Sequence, residues 1–194
     1  MHIHLAENGN DIRYCREKFN MMPAQYLEVL GWVDPDVWHA HHVKLAPSGI
    51  ELFADSGTSS AHCPCASMLP DSGIAPLRHM CDAVAPVGFG VEDSASNVSA
   101  DMTSEARQAM LLQLLGLGPD ALTARQVPEL AMLRGGKVLK RDDEAIIAPG
   151  MMAELAVFDL GRVGLDGAGH DRFRRRCSLI RGRRHTTAST AQGT

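Results

Sequence analysis

Short apolar runs alternate with helical patterns along most of this chain. Four of the runs are predicted strands, and they cover residues 2–6, 37–41, 58–62 and 86–91. Segments with helical spacing of apolar residues follow them, at residues 11–29, 48–55, 74–84 and 100–115. This order is typical of repeated βα units around a parallel sheet. It predicts an α/β fold, and it fits both half of a (β/α)₈ barrel, which needs about 250 residues when complete, and an open doubly wound sheet.

The last part of the chain has a different pattern. A turn at residues 148–150 leads into the apolar run Leu155–Phe158, which predicts one further strand. Seven arginines follow between Arg172 and Arg184, with few aromatic residues among them and no amphipathic period. We therefore expect a disordered basic tail over residues 166–194 rather than a surface for nucleic acid or lipid.

Composition restricts the classes of protein to consider. The 194 residues are 45% hydrophobic and 22% charged, with a formal net charge of −4, which is an ordinary globular mixture. Neither nucleic acid nor a membrane is expected as a partner, because the net charge is acidic and no stretch approaches the roughly 20 apolar residues of a membrane span. Five irregularly spaced cysteines argue against a disulfide framework and predict a cytoplasmic location.

Residues that can bind a metal or transfer protons stand at the ends of predicted strands. His4 and Glu7 end the first strand, His41 ends the second, and Glu92 follows the fourth. In a barrel, the carboxyl ends of the strands face the active site, where a neutral imidazole can bind a metal and a carboxylate can bind a metal or move a proton. Spacing alone also fits a surface histidine, a helix-capping glutamate and a loop acid, so both interpretations stay open here.

Two further groups of residues contain histidine. His39 and His41 share one face of a predicted strand, and His42 begins the next turn, where we expect it to be solvated and incidental. The run His62–Cys65 contains zinc-binding residue types. A structural zinc site needs a second pair of ligands at a distance, which this chain lacks, so we expect the end of a barrel strand with incidental thiols there.

Several motifs together resemble the amidohydrolase superfamily. His4-Leu5-Ala6-Glu7 and the segments at 26–32 and 37–41 resemble its fifth and sixth barrel strands. Residues 61–64, 72–76 and 94–97 resemble the segments around its seventh and eighth strands. Within the superfamily, the sequence is most similar to the 8-oxoguanine deaminases and the hydroxyatrazine-type aminohydrolases, from residue 1 to about residue 170.

The resemblance implies a fold and a metal site. Residues 1–145 would form strands five to eight of the barrel, and residues 146–165 would return into a small flanking β domain. One divalent metal, usually zinc with iron as the alternative, would be held by a His-x-His pair on strand one, a histidine on strand five and an aspartate on strand eight. His4 matches the strand-five ligand, so His2 and His4 are not the strand-one pair. Glu92 stands where the aspartate is expected.

The resemblance also implies a reaction. His41 matches the histidine that orients the attacking water, and Glu7 matches the acid that contacts the substrate and transfers a proton to its ring. Glu92 would bind the metal, contact the substrate and accept a proton. The implied activity is hydrolytic deamination of a small purine-type or triazine-like ring, and for 8-oxoguanine the products are urate and ammonia.

This chain departs from the family pattern in ways that affect function. The first four strands and the His-x-His pair have no counterpart, and the Asp-Gly of strand eight is here Glu92-Asp93. We expect weak metal binding through His4 and Glu92, with Glu92 a poor substitute because it is one methylene longer than aspartate. We also expect no activity from this chain alone, and either a homo-oligomer or a need for the missing half. A non-catalytic remnant that serves only as a binding or assembly partner fits the same departures.

Overall fold

A computed structural model describes residues 1–69, 72–93, 95–97 and 101–154. Strands β1 (His2–Leu5), β2 (Trp38–His41), β3 (Ser59–His62) and β4 (Val87–Phe89) form one sheet of four parallel strands in the order β1-β2-β3-β4. All four lie within the predicted strands, which are thereby confirmed. The predicted strand at 155–158 and the tail at 166–194 lie outside the described residues, so the predicted domain boundaries stay predictions.

The strand order separates the two folds that the pattern left open. A doubly wound sheet reverses its strand order at a switch point, whereas the four described strands follow one another without reversal. Because crossover connections between parallel strands are right-handed, an unreversed order keeps the connecting helices on one face of the sheet. This is the arrangement of consecutive strands in a barrel.

Eight helices and one π-helical turn complete the described part of the chain. Prolines stand in the first turn of α2, α3 and α4. A backbone N–H at this position has no acceptor within the helix, so the absence of one in proline costs no hydrogen bond. Thr123 and Gln126 form a capping box, with Thr123 N donating to Gln126 Oε1 at 2.9 Å and Gln126 N donating to Thr123 Oγ1 at 3.3 Å. The helices are α1 (Gly9–Phe19), α2 (Pro23–Val29), α3 (Pro47–Ser56), α4 (Pro64–Met68), α5 (Leu77–Asp82), α6 (Met102–Leu117), α7 (Gln126–Glu129) and α8 (Gly135–Val138), with the π-helical turn at Leu130–Arg134 between the last two.

The hydrophobic core lies between the sheet and the helices. Leu5, Val87 and Phe89 contribute from the strands. The helices contribute the buried residues Ala24, Leu27, Ile50, Phe53, Leu77, Met80, Ala106, Ala109 and Met110. Each large side chain buried in this way contributes about 1.5–3 kcal/mol of transfer free energy, and the layer holds the carboxyl ends of the strands in register.

His42 lies in this core layer, so the expectation that it is solvated is wrong. Its side chain is fully buried, its ring centroid lies 5.0 Å from that of Phe53, and its Nδ1 lies 2.7 Å from Ser60 Oγ. The reason is that pairing with β1 continues past the end of β2, where His42 N donates to Leu5 O at 3.1 Å. The chain therefore stays beside the sheet and does not turn into solvent at this residue.

Candidate metal centre

The structure brings together three of the side chains that the sequence singled out. His4 Nδ1 lies 3.3 Å from His41 Nε2, at the ends of the neighbouring strands β1 and β2. Glu92, which follows β4, places its Oε2 at 3.5 Å from His41 Nε2 and 3.8 Å from His4 Nε2. The His4 side chain is 49% exposed, that of Glu92 18% and that of His41 1%. The cluster is therefore open to solvent on the His4 side and closed behind His41.

Glu7 lies at the same edge of the sheet. His4, Glu7 and His41 each offer one ligand atom, and these three atoms lie within 4.8 Å of one another. The backbone N–H of Glu7 donates to the carboxylate of Asp11 at 2.8 Å, in the first turn of α1, and this fixes the turn between β1 and α1. His2 does not join this group, because its ring stacks on Trp38 with 3.7 Å between the ring centroids.

The backbone at the three strand ends is left-handed. The φ angles are 50° at Ala6, 77° at His41, 56° at His42 and 66° at Glu92. Non-glycine residues in this region cost about 1–3 kcal/mol each and are concentrated at functional sites. The turns end the regular strands at this edge, where the imidazoles and carboxylates of the cluster meet.

Glu92 and its neighbour Asp93 have different surroundings. The Asp93 carboxylate accepts hydrogen bonds from Ala95 N at 2.8 Å and from Ser96 N and Oγ at 2.9 Å each, and these bonds hold its pKa below the usual value. Among the described residues, the ion-pair partners of Glu92 are His4 and His41. Asp93 therefore caps the loop after β4, and Glu92 is the acid that reaches the cluster.

Electrostatics at the cluster suit a divalent cation. Burial lowers the pKa of His41, while the negative charges of Glu7 and Glu92 oppose this effect in part and His4 lowers the pKa further. A neutral imidazole keeps a lone pair for a metal, and carboxylate oxygens are also zinc ligands. The donor types of His4, Glu7, His41 and Glu92 therefore fit the metal that the resemblance implies.

The residues of the run His62–Cys65 separate in the structure. Burial lowers the pKa of His62 to about 4, and its ring lies 6.4 Å from that of Phe89, centroid to centroid. Cys65 N donates to Glu105 Oε2 at 2.9 Å, on α6. Cys63 instead offers its sulfur to a second group of three ligand atoms, with His41 and Glu92, again all within 4.8 Å of one another.

The structure places Cys63 in the cluster, directly after β3, and the expectation that its thiol is incidental stays a prediction. A signal was present in the sequence, since Cys63 directly follows a predicted strand, where barrel residues face the site.

Comparison with known proteins identifies the family. The sequence model of the amidohydrolase family matches residues 1–186 of this chain. The chain belongs to this family. The match extends past Asp171, where we expected the resemblance to end.

Individual relatives agree with this assignment. The chain is 38% identical over 175 residues to the 8-oxoguanine deaminase of Pseudomonas aeruginosa, covering 88% of this chain and 38% of that protein. The crystal structure of an adenosine deaminase from Xanthomonas campestris with bound zinc superposes with a TM-score of 0.84 at 28% identity, over 92% of this chain and 40% of the other. The crystal structure of atrazine chlorohydrolase from Arthrobacter aurescens in complex with zinc superposes with a TM-score of 0.83 at 31% identity, over 92% of this chain and 39% of the other.

These likenesses confirm the family and an α/β fold of the barrel type with a parallel sheet. The numbering of the strands as five to eight stays a prediction. The chain spans about two fifths of the length of these relatives, between 38% and 40%. None of the helices in the described residues has the length and apolar character needed to cross a bilayer, and the cytoplasmic location stays a prediction.

Proposed function

We propose that this chain forms part of a metal-dependent hydrolytic deaminase that acts on a small purine-type ring, with 8-oxoguanine as the substrate. The observation that carries the proposal is the meeting of His4, His41 and Glu92 at the ends of three parallel strands. The similarity to an 8-oxoguanine deaminase favours this ring over the triazines. The relatives with bound zinc favour zinc over iron as the metal.

The roles that we propose follow from position and exposure. His4 and Glu92 would hold the metal, which when bound would lower the pKa of water toward neutrality. His41, buried behind them and neutral, accepts a hydrogen bond from the attacking water and orients it. Glu7 contacts the ring and donates a proton to it, and Glu92 accepts a proton. Water adds to the amino-bearing ring carbon, the carbon–nitrogen bond breaks, and the products are urate and ammonia.

We propose that activity needs strands beyond those described. A closed barrel has eight strands, and the described residues supply four, which we number five to eight. His4 and Glu92 are two ligands, and two ligands seldom hold zinc against water. In this proposal the remaining strands supply a His-x-His pair and close the barrel, either from another segment of the same protein or from a separate chain.

Complementation tests the proposal. This chain is co-expressed with the segment of the Pseudomonas aeruginosa 8-oxoguanine deaminase that precedes its matching part, and the purified complex is loaded with zinc. Urate and ammonia should appear together from 8-oxoguanine. His4→Ala should lower kcat/KM by at least about 100-fold, since it removes a metal ligand and not a neighbour of one. His79→Ala is the matched control, because His79 is exposed on α5 and outside the cluster.

The outcomes separate the two classes of function. A stable complex that holds zinc and turns over none of the purine-type or triazine-like rings would refute the deaminase and favour the non-catalytic binding or assembly partner. Turnover of a triazine but not of 8-oxoguanine would refute the choice of substrate and leave the reaction class in place.

A further inference from the structure

Cys63 is a buried group at the cluster to which the proposed deaminase assigns no role. Its side chain is 2% exposed, and its sulfur lies within 4.8 Å of ligand atoms of both His41 and Glu92. His41 is itself 1% exposed. The two side chains come from the ends of neighbouring strands, because β2 and β3 pair in parallel.

Local structure holds the thiol at this place. The Cys63 carbonyl accepts hydrogen bonds from Ser67 N at 3.1 Å and Ser67 Oγ at 2.9 Å, which fixes the backbone at the start of α4. A Cβ built on Gly90 would lie 2.9 Å from Cys63 Sγ, so the absence of a side chain at Gly90 makes room for the sulfur. The hydrogen bond from the thiol to Ala61 O is long, at 3.7 Å, and a stronger ligand can replace it.

We infer that this chain by itself binds one zinc ion through His41, Cys63 and Glu92. The donor set differs from the one proposed for the complete deaminase, because it includes the thiolate and needs no residue from the other half of a barrel. It replaces the expectation of weak binding through His4 and Glu92 alone. The inference does not depend on the proposed substrate or reaction.

The chemistry of the three donors suits zinc. Cysteine sulfur binds zinc at about 2.3 Å, histidine nitrogen at about 2.0–2.1 Å and carboxylate oxygen at about 2.0–2.2 Å, usually in a tetrahedron that water can complete. One thiolate and one carboxylate balance the two positive charges, and the neutral imidazole of His41 adds none. A thiolate also disfavours magnesium and calcium, which prefer oxygen ligands.

Binding must displace a proton. Burial raises the pKa of the Cys63 thiol to about 12, with the charges of Glu105 and Glu92 acting in the same direction. Near neutral pH the sulfur therefore carries its proton until the metal arrives. The sulfur–hydrogen bond then breaks, the proton passes to the solvent, and the sulfur binds the ion. The apparent affinity should accordingly rise with pH.

Cobalt and zinc titrations of the isolated, reduced and chelator-treated chain test the inference. One Co²⁺ should bind with a thiolate-to-cobalt charge-transfer band in the near ultraviolet, and zinc should displace it. Cys63→Ser should remove the band and weaken binding at least tenfold. Cys81→Ser is the matched control, since Cys81 is a partly buried thiol on α5 outside the cluster. The cobalt complex of this variant should keep the charge-transfer band.

A second measurement on the unaltered chain does not depend on how the variants fold. Calorimetric titration of zinc in buffers of different ionisation enthalpy counts the protons released, and one proton per zinc is expected. Release of no proton, absence of the band from the unaltered chain, or a band that survives Cys63→Ser would each overturn the inference. None of these results bears on turnover by the complemented deaminase, so the two proposals fail separately.

Discussion

Acid should unfold this chain through its buried histidines. His39 and His62 are at most 2% exposed, and burial lowers the pKa of each from 6.5 to about 4. An imidazole whose pKa falls on folding stabilises the folded state fully above its unfolded pKa, and that stability is lost as the pH falls toward the folded pKa. The window for both rings is therefore from pH 6.5 down to about 4.

The size of the loss follows from the same pKa values. One pKa unit corresponds to about 1.4 kcal/mol. Between pH 7.5 and pH 5, protonation of each ring therefore lowers the free energy of unfolding by about 2 kcal/mol, and protonation of both lowers it by about 4 kcal/mol. The whole free energy of unfolding of a domain is about 5–15 kcal/mol. His42, whose pKa burial holds well below its usual value, adds to the loss in the same direction.

Urea denaturation followed by circular dichroism at several pH values, with a chelator present, measures this dependence. His39→Gln, which cannot take up a proton, should reduce the loss between pH 7.5 and pH 5 by about 2 kcal/mol, whatever its effect on the absolute stability. His79→Gln on the exposed face of α5 should leave the dependence unchanged. A free energy of unfolding that changes by less than about 1 kcal/mol over this range would refute the reasoning.

Two further expectations concern packing and assembly. Gly88→Ala should destabilise the chain by about 1–3 kcal/mol in chemical denaturation, because the new Cβ would lie 2.9 Å from Gly135 Cα. Gly9→Ala should be close to neutral, because no atom lies within 4 Å of its new Cβ. The isolated chain should elute as a dimer or larger assembly in sizing chromatography, because β1 is an edge strand of the described sheet and exposes unpaired backbone groups; a sharp monomer peak with cooperative melting would contradict this.

Local patterns in the sequence were sufficient to predict the strands and most of the helices. Alternating apolar runs and turn residues are properties of neighbouring positions, and all four described strands were predicted from them. α5 begins at Leu77, later than the predicted helix at 74–84, where the carbonyl of Ala75 accepts a hydrogen bond from Gln113 Nε2 at 2.9 Å. That partner lies on α6, and no local pattern reveals it.

The candidate site was predictable in its members and not in its surroundings. His4, His41 and Glu92 stand at strand ends, and parallel pairing brings strand ends together. The burial of His42 and the approach of Cys63 depend on contacts with β1 and with Gly90, which lie 37 and 27 positions away in the sequence. The chemical roles of Glu7, His41 and Glu92 stay predictions.

The choice between glutamate and aspartate at position 92 gives the sharpest test of the site. The sequence led us to expect that Glu92 is a poor substitute for the aspartate of the family. The geometry argues for the opposite, because the longer side chain, on a backbone with a φ of 66°, already brings its oxygen to 3.5 Å from His41 and 3.8 Å from His4. Aspartate on the same backbone would withdraw the carboxylate by about one carbon–carbon bond, roughly 1.5 Å.

Glu92→Asp should therefore lower kcat of the complemented, zinc-loaded complex at least tenfold and weaken its hold on zinc, because a metal ligand tolerates a displacement of only about 0.2 Å. Asp93→Gly should leave kcat within about twofold and lower the melting temperature, since it removes three hydrogen bonds that hold the loop and none that reaches the cluster. A rise in turnover with Glu92→Asp would show that the backbone shifts when the barrel closes, and would restore the expectation drawn from the sequence.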